Sequence, residues 1–202
     1  IARSKVLNEE VLEAKKRVLG EEHQSTLATM GNLASVYKEL GMLDEAEALK
    51  RKDLEITLRV LGEDHPDTIV SLANLGAILR SRGRCDAAVP YFERAIRASR
   101  KSLPPDYDGT GFTLGWYGSC LGTLGRHAEA ESALLEGRAI VVKKMGETNP
   151  IAIEMAKDLV KVYEGWEKAE PGKGHAAAAA EWNARIAAAR DPSAQSAPGG
   201  KP

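Results

Sequence analysis

The side chains best suited to metal or acid–base chemistry recur at two junctions of this sequence. His23 follows the acidic pair Glu21-Glu22, and His65, 42 positions later, follows Glu63-Asp64. A metal ion would need several such groups to converge on one point. If the two junctions open successive helix pairs, equivalent residues are translated by roughly 10 Å per repeat, which is too far for one ion. We therefore predict that the histidines cap or pack at helix starts, and that the carboxylates favour the positive helix N-termini.

Signatures of catalytic or nucleotide-binding loops are missing from the sequence. Gly115, Gly118, Gly122 and Gly125 fall inside a helical pattern without a preceding strand, so they do not form a phosphate loop. The Gly-Lys-Gly run at 172–174 lacks the upstream glycine and the following serine or threonine of a P-loop. The catalytic loop and the metal-binding triplet of protein kinases are also absent. We expect a protein that is not an enzyme and that carries no cofactor or metal.

The charges of the chain are balanced, with 28 Lys and Arg against 29 Asp and Glu. Without a general positive excess, neither nucleic acid nor anionic lipid is an expected partner. No apolar run of about 18 residues could cross a bilayer, and the N-terminus lacks the basic-then-apolar layout of a secretory signal. We expect a cytoplasmic protein without membrane contact, in which Cys85 and Cys120 are reduced.

A repeat of 42 residues organises the chain. Leu19-Gly20-Glu21-Glu22-His23 returns as Leu61-Gly62-Glu63-Asp64-His65, and Asn32 returns as Asn74 at the same offset. The register continues to the C-terminus, where the repeat weakens. The predicted repeats 1 to 4 cover about residues 20–61, 62–103, 104–145 and 146–190, after a partial unit at 1–19.

Each repeat is predicted to hold two helices, A and B. In repeat 2, Ile69, Leu72, Leu75 and Leu79 recur at helical spacing and line one face of helix A. Gly83 follows where a glycine can form a left-handed cap, and a second amphipathic run, helix B, begins after it. We therefore predict an all-α domain of about nine antiparallel helices over residues 1–190, with a long loop at 166–174. Residues 191–202 have little to bury and are predicted to be a disordered tail.

These motifs resemble a known repeat family. Residues 61–68, Leu-Gly-Glu-Asp-His-Pro-Asp-Thr, and residues 71–76, Ser-Leu-Ala-Asn-Leu-Gly, are similar to the 42-residue tetratricopeptide repeats (TPRs) of kinesin light chains. The resemblance implies a right-handed α-α superhelix, a TPR solenoid, whose A helices line a concave groove that holds peptide segments. Residues 110–118 and 163–166 also resemble the TPR arrays that follow kinase domains in bacterial serine/threonine kinases. That resemblance implies the accessory region of a larger bacterial signalling protein.

Carried over position by position, the resemblance predicts the side chains that form the groove. They are Asn32, Ser35, Lys38, Asn74, Ala77, Arg80, Phe112, Trp116, Ser119, Lys157, Asp158 and Lys161. Asn32 and Asn74 match the groove asparagine of the family, whose carboxamide can bond a peptide backbone with both its carbonyl and its amide. Trp116 and Asp158 replace it in repeats 3 and 4, where an aromatic platform of Trp116 and Phe112 is expected instead of a uniform clamp.

We predict a protein-interaction module that binds a peptide or a flexible protein segment in this groove. The asparagines could instead be solvated, Trp116 and Phe112 could be packing residues, and Lys38 and Arg80 could form a solvated face rather than select an acidic peptide. A second hypothesis is a structural scaffold that self-associates through the N-terminal helix, because residues 2–18 form a B helix without its A helix. A third is a regulatory region for a serine/threonine kinase in the same chain.

Overall fold

The computed structural model describes residues 2–191, which form nine α-helices and no β-strand. The helices are α1 Ala2–Leu19, α2 Gln24–Glu39, α3 Leu43–Leu61, α4 Pro66–Ser81, α5 Cys85–Ser102, α6 Asp108–Thr123, α7 His127–Met145, α8 Pro150–Ala169 and α9 His175–Arg190. The all-α prediction is confirmed for these residues. The predicted tail lies outside the described residues except for Asp191. The limits of the domain and of the repeats remain a prediction.

The helix starts follow from the residues that precede them. The backbones of His23 and His65 are extended, and each Nδ1 accepts a hydrogen bond from the backbone N–H two residues later. The donors are the amides of Ser25 and Asp67, at 3.1 and 3.2 Å. These bonds satisfy amides that the first helical turn leaves without a partner. The prediction that the two histidines cap helices is confirmed.

Helix α8 is longer than the sequence pattern predicts. It continues through Trp166 to Ala169, so the predicted loop beginning at Trp166 is wrong, and residues 170–174 alone connect α8 to α9. The Trp166 ring stacks on His175 with the ring centroids 4.1 Å apart. The Glu167 carboxylate accepts hydrogen bonds from the amides of Gly172 and Ala176, at 2.6 and 3.1 Å. These contacts with the connecting loop and the first turn of α9 stabilise the additional helical turn at the end of α8.

The cysteines differ from the expectation as well. Neither Cys85 nor Cys120 is a free thiol, so the expectation of reduced cysteines is wrong. Both side chains are buried. Disulfide formation depends on the geometry of the Cβ atoms, which spacing along the sequence does not reveal.

The helices form two compact modules that divide between Pro105 and Asp106. In the N-terminal module α1 packs on α2, α2 on α3, α3 on α4 and α4 on α5. In the C-terminal module α6 packs on α7 and α8, α7 packs on α8, and α8 packs on α9. Because the connecting loops are short, consecutive helices in each module run antiparallel.

Small residues set the distance between packed helices. Ala46, Ala88 and Ala130 open the B helices at the repeat spacing and are fully buried, each with 0 % exposure. In the C-terminal module the backbones of α6 and α7 come close together at Gly111 and Gly137. There, a Cβ on Gly137 would lie 2.7 Å from the backbone oxygen of Gly111. Side chains larger than hydrogen at Gly137 are therefore incompatible with this helix spacing.

Polar contacts, one of them made by Tyr37 of α2, connect α1 to α2. Tyr37 Oη donates a hydrogen bond of 2.7 Å to Glu9 Oε1, and Lys15 Nζ donates one of 2.9 Å to Thr29 Oγ1. Leu12 of α1 joins the apolar core of the N-terminal module beside these polar contacts. Burial of the phenol and its hydrogen bond to Glu9 raise the pKa of Tyr37 to about 12.

Replacing Tyr37 with phenylalanine is expected to lower the free energy of unfolding by about 1 kcal/mol near neutral pH, the usual value of one such hydrogen bond. Because the pKa of Tyr37 is raised on folding, its contribution is complete below about pH 10 and is lost as the pH rises through about 12. Urea unfolding at several pH values measures both effects. Glu9→Gln is the control that keeps the shape of the partner. Equal unfolding curves for Tyr37→Phe and the original chain would contradict the prediction.

Candidate functional site

An open cleft of about 270 Å³ lies on the N-terminal module. Residues of α2 and α4 form its walls, and residues of α3 form its floor. The walls therefore come from the A helices of repeats 1 and 2, and the floor comes from the B helix between them. Such a cleft arises because two A helices, each packed on α3, leave a channel between their outward faces.

Three of the predicted groove residues line this cleft: Asn32, Ser35 and Asn74. Asn32 and Ser35 are exposed, and Asn74 is half-buried. Ala28 and Gly31 lie on the same wall as Asn32. Because these neighbours are small, they leave the cleft open beside the Asn32 carboxamide.

The remaining predicted groove residues of repeats 1 and 2 lie closer to the C-terminal ends of α2 and α4 than the asparagines do. Ala77 is buried, with 5 % exposure. Burial and the positive charge of Arg80 lower the pKa of Lys38, which means that the two cations are close enough to repel each other. Arg80 Nε is buried and has no hydrogen-bond partner among residues 2–191. These two side chains place positive charge beyond the end of the cleft lining.

The floor of the cleft carries a buried ion pair that the sequence reasoning missed. Lys50 Nζ donates a hydrogen bond of 2.9 Å to Asp53 Oδ2, and Ser71 Oγ donates one of 2.5 Å to the same oxygen. The exposed fractions of Lys50, Asp53 and Ser71 are 3, 2 and 4 %. All three residues nevertheless line the cleft. The floor is therefore polar, although almost none of its surface is in contact with solvent.

A signal for this floor was present in the repeat alignment. The residues 42 positions after Lys50 and Asp53 are Phe92 and Ala95, which are buried at 0 and 1 % exposure. A lysine and an aspartate therefore occupy, in repeat 1, positions that repeat 2 uses for its apolar core. Comparing the B helices position by position would have identified the pair.

The C-terminal module has a smaller cleft of about 210 Å³ between α6 and α8. The predicted groove residues Ser119, Asp158 and Lys161 line it. Asp158 is 8 % exposed, and its Oδ1 accepts a hydrogen bond of 2.7 Å from Lys161 Nζ. This pair satisfies the aspartate within its own helix.

The other predicted groove residues of repeats 3 and 4 lie outside the residues that line this smaller cleft. Phe112 and Trp116 are half-buried on earlier turns of α6. Lys157 forms an ion pair of 2.7 Å with Glu154. The aromatic platform of Phe112 and Trp116 remains a prediction.

The histidines and carboxylates of the described helices do not assemble into a metal site. Residues 2–191 include no group of three or more His, Cys, Asp or Glu side chains placed to hold a metal ion. His127 and His175 both stack on Trp166, with centroid distances of 6.0 and 4.1 Å. None of the helices in this part of the chain is long and apolar enough to cross a membrane.

Comparison with known families agrees with the repeat architecture. A tetratricopeptide repeat model matches residues 5–56 and 32–101. By sequence, residues 5–101 therefore consist of tetratricopeptide repeats, a fold that generally serves as a protein–protein interaction scaffold. No curated protein matches the chain.

Solved structures extend the likeness to most of the chain. The nearly identical TPR-like repeats assigned to a kinesin light chain of Podosopora anserina are 22 % identical, with 93 % of this chain and 86 % of that chain covered and a TM-score of 0.73. A variant of the same repeats is also 22 % identical, with 96 and 89 % covered and a TM-score of 0.78. BtubC (BKLC) from P. vanneervenii is 18 % identical, with 94 and 73 % covered and a TM-score of 0.73. The fold is that of a kinesin light chain-like TPR solenoid.

Proposed function

We propose that the cleft on the N-terminal module binds an extended peptide segment of a partner protein. The observation that carries this proposal is that Asn32 and Asn74, one repeat apart, line the same cleft. An extended chain presents N–H and C=O groups along its length, and each carboxamide can donate to one and accept from the other. Neither asparagine side chain has a hydrogen bond to another described residue, so both can serve a ligand.

The charges around the cleft favour a ligand bound mainly through its backbone. The side chains that line it include one cation, Lys50, which is paired with Asp53, and a further carboxylate, Asp67. A strongly acidic segment would gain little from such a lining, whereas neutral peptide groups find donors and acceptors in it. Affinity would come from several modest contacts on a preformed surface.

The test is selection from a phage-displayed library of random linear peptides on the immobilised full chain, followed by fluorescence anisotropy with the enriched peptides. Asn32→Ala combined with Asn74→Ala is expected to raise Kd about ten- to hundredfold, the effect of losing two or more backbone hydrogen bonds. The double variant should keep its helical circular dichroism, because both side chains lie at the surface of the cleft.

The matched control removes two asparagines elsewhere, Asn8 and Asn183, both outside the residues that line the cleft. Asn8→Ala with Asn183→Ala should leave Kd unchanged. Selection that enriches no peptide, or equal affinity for the two double variants, would refute a peptide site at this cleft.

Self-association through the N-terminal helix stays a second proposal. Val6 and Leu7 of α1 are 52 and 60 % exposed, and they are the apolar side chains that a second copy would cover. Sedimentation analysis over a range of concentrations tests this role, and a monomer at the highest concentration would refute it. The cytoplasmic location, the larger bacterial signalling protein and the regulation of a kinase in the same chain remain proposals from the sequence.

A further inference from the structure

We infer that the Lys50–Asp53 pair is a side-chain recognition pocket in the floor of the cleft, which selects an uncharged residue with a donor and an acceptor: a carboxamide or a hydroxyl. This inference rests on the proposed binding of a peptide in the cleft. It adds a specificity for one position of that peptide, supplied by a B helix rather than by the A helices that form the walls.

The first argument is the unused bonding capacity of the pair. An ammonium group has three N–H donors, and among the described residues Lys50 Nζ donates only to Asp53. The hydrogen bonds from Lys50 and Ser71 both end on Asp53 Oδ2, so Oδ1 accepts none from residues 2–191. Because both residues line the open cleft, water can fill these positions when no ligand is bound. A ligand group that accepts from Lys50 and donates to Asp53 would complete both.

The second argument is the path of the lysine side chain. A Cβ on Gly31 would lie 3.3 Å from Lys50 Nζ, so the ammonium comes up against the bare backbone of α2 at the wall of the cleft. In repeat 2 the equivalent of Gly31 is Ala73, and the glycine lies one turn later, at Gly76. The Phe92 ring packs against that glycine, since a Cβ there would lie 2.6 Å from Phe92 Cε1.

The position of the glycine thus directs the long side chain of the B helix in each repeat. In repeat 1 the space left by the absent side chain lies at Gly31, beside the cleft. The residue equivalent to Gly76 is Ala34, which leaves no such space. The charged group of Lys50 is therefore brought to the cleft, whereas Phe92 remains in the core with 0 % exposure. A buried ion pair is weak evidence for stability, because desolvation offsets its attraction. A role in recognition accounts for a polar floor where repeat 2 has an apolar one.

The third argument decides the charge of the ligand group. Lys50 is neutralised by Asp53, and Asp67 lines the same cleft. An incoming carboxylate would meet two acidic side chains and a single cation, and it has no proton to donate to Asp53. An incoming ammonium has no acceptor for the N–H groups of Lys50, which it would meet at the floor. Carboxamides and hydroxyls avoid both repulsions and can bond to both members of the pair.

The experiment repeats the peptide selection on the full chain and on a floor variant, Lys50→Met with Asp53→Ala. Lys50 is replaced by methionine and not by phenylalanine, its equivalent in repeat 2. The Phe92 ring packs against Gly76, and repeat 1 has Ala34 at the position equivalent to that glycine. We expect the original chain to enrich Asn, Gln, Ser or Thr at one position of the peptide. The floor variant should bind peptides without this preference.

The matched control is Lys52→Met with Glu55→Ala, which removes one charge of each sign from the exposed side of α3 at the same spacing. Lys52 pairs with Glu21 at 2.6 Å, but this ion pair lies at the surface, where such pairs contribute little. We expect the control to enrich the same residues at the same position as the original chain.

Affinities then test the contact directly. Changing the selected residue to alanine should raise Kd about tenfold for the original chain and leave it unchanged for the floor variant. A second readout, in the original chain, separates recognition from any folding defect of the floor variant. It is the NMR signal of the Lys50 side-chain ammonium group, which is assigned as the signal that disappears in Lys50→Arg. This signal should shift on addition of the selected peptide, and not with the alanine version.

Three results would overturn the inference. Enrichment of Asp or Glu at that position would make Lys50 an anion site, and the same preference in the floor variant would place recognition elsewhere. An unshifted Lys50 signal in the presence of saturating peptide would remove the contact. In each of these cases peptide binding survives, so the proposed function stands. Selection that enriches no peptide would instead refute the proposed function, and this pocket with it.

Discussion

Replacement of Asp53 with alanine is expected to destabilise the N-terminal module by about 3–5 kcal/mol. The substitution leaves the Lys50 ammonium, which is 3 % exposed, without its anion. It also removes the acceptor of the 2.5 Å hydrogen bond from Ser71. The cost is that of an uncompensated buried charge, so Lys50→Met alone, which leaves the aspartate unpaired, should fall in the same range.

The combination of Lys50→Met with Asp53→Ala is the decisive comparison. With both charges removed, we expect stability within about 1 kcal/mol of the original chain, because an apolar pair costs little where an ion pair was buried. Ser71 can then donate to a carbonyl of the preceding helical turn. Hydrogen exchange of the α3 and α4 amides measures these effects in the module concerned. If the double variant were as unstable as the single ones, the pair would be needed for packing rather than for its charge balance.

Replacement of Gly137 with alanine is expected to destabilise the C-terminal module by about 1–3 kcal/mol. Alanine favours a helix over glycine by about 1 kcal/mol, so helix propensity predicts the opposite sign. Packing decides the outcome, because the added Cβ would lie 2.7 Å from the Gly111 carbonyl oxygen and 2.9 Å from Leu114 Cβ. The first of these is backbone, so α6 and α7 must move apart.

All three tryptophans lie in the C-terminal module, so urea unfolding followed by tryptophan fluorescence reports on it. Gly165→Ala is the matched control. Its Cβ would meet the edge of the His127 side chain at 3.1 Å, and a side chain can adjust where backbone cannot. We expect the control to be as stable as the original chain, or more stable by up to about 1 kcal/mol, because alanine favours the helix. A Gly137→Ala variant that unfolds at a higher urea concentration than the original chain would show that the helices adapt without cost.

The repeat was readable from the sequence because its signals are local. Apolar spacing marks the helices, and His23 and His65 mark the starts of α2 and α4 through a bond to an amide two residues away. The end of α8 was missed for the opposite reason. Its last turn depends on Trp166 and Glu167 contacting the start of α9, across a loop whose glycines and proline predict an earlier stop.

The candidate site was predictable in part. Asn32 and Asn74 were identified because repeat position and resemblance both place them on the outward side of the A helices, and they do line one cleft. The floor was missed because a B-helix lysine is ordinarily assigned to solvent. Its burial depends on the gap at Gly31 in a different helix, which a search along one helix does not detect.

The sequence by itself determined the all-α repeat architecture, because this depends on spacings within a helix or between equivalent residues. With the family resemblance it also indicated Asn32, Ser35 and Asn74 on the walls of the cleft. The tertiary structure alone decided which polar side chains are buried and which reach the cleft. The physical reason is that the direction of a long side chain follows the free space left by neighbouring helices. In repeat 1 that space lies beside Gly31 and holds a charge, and in repeat 2 it lies beside Gly76 and holds an aromatic ring.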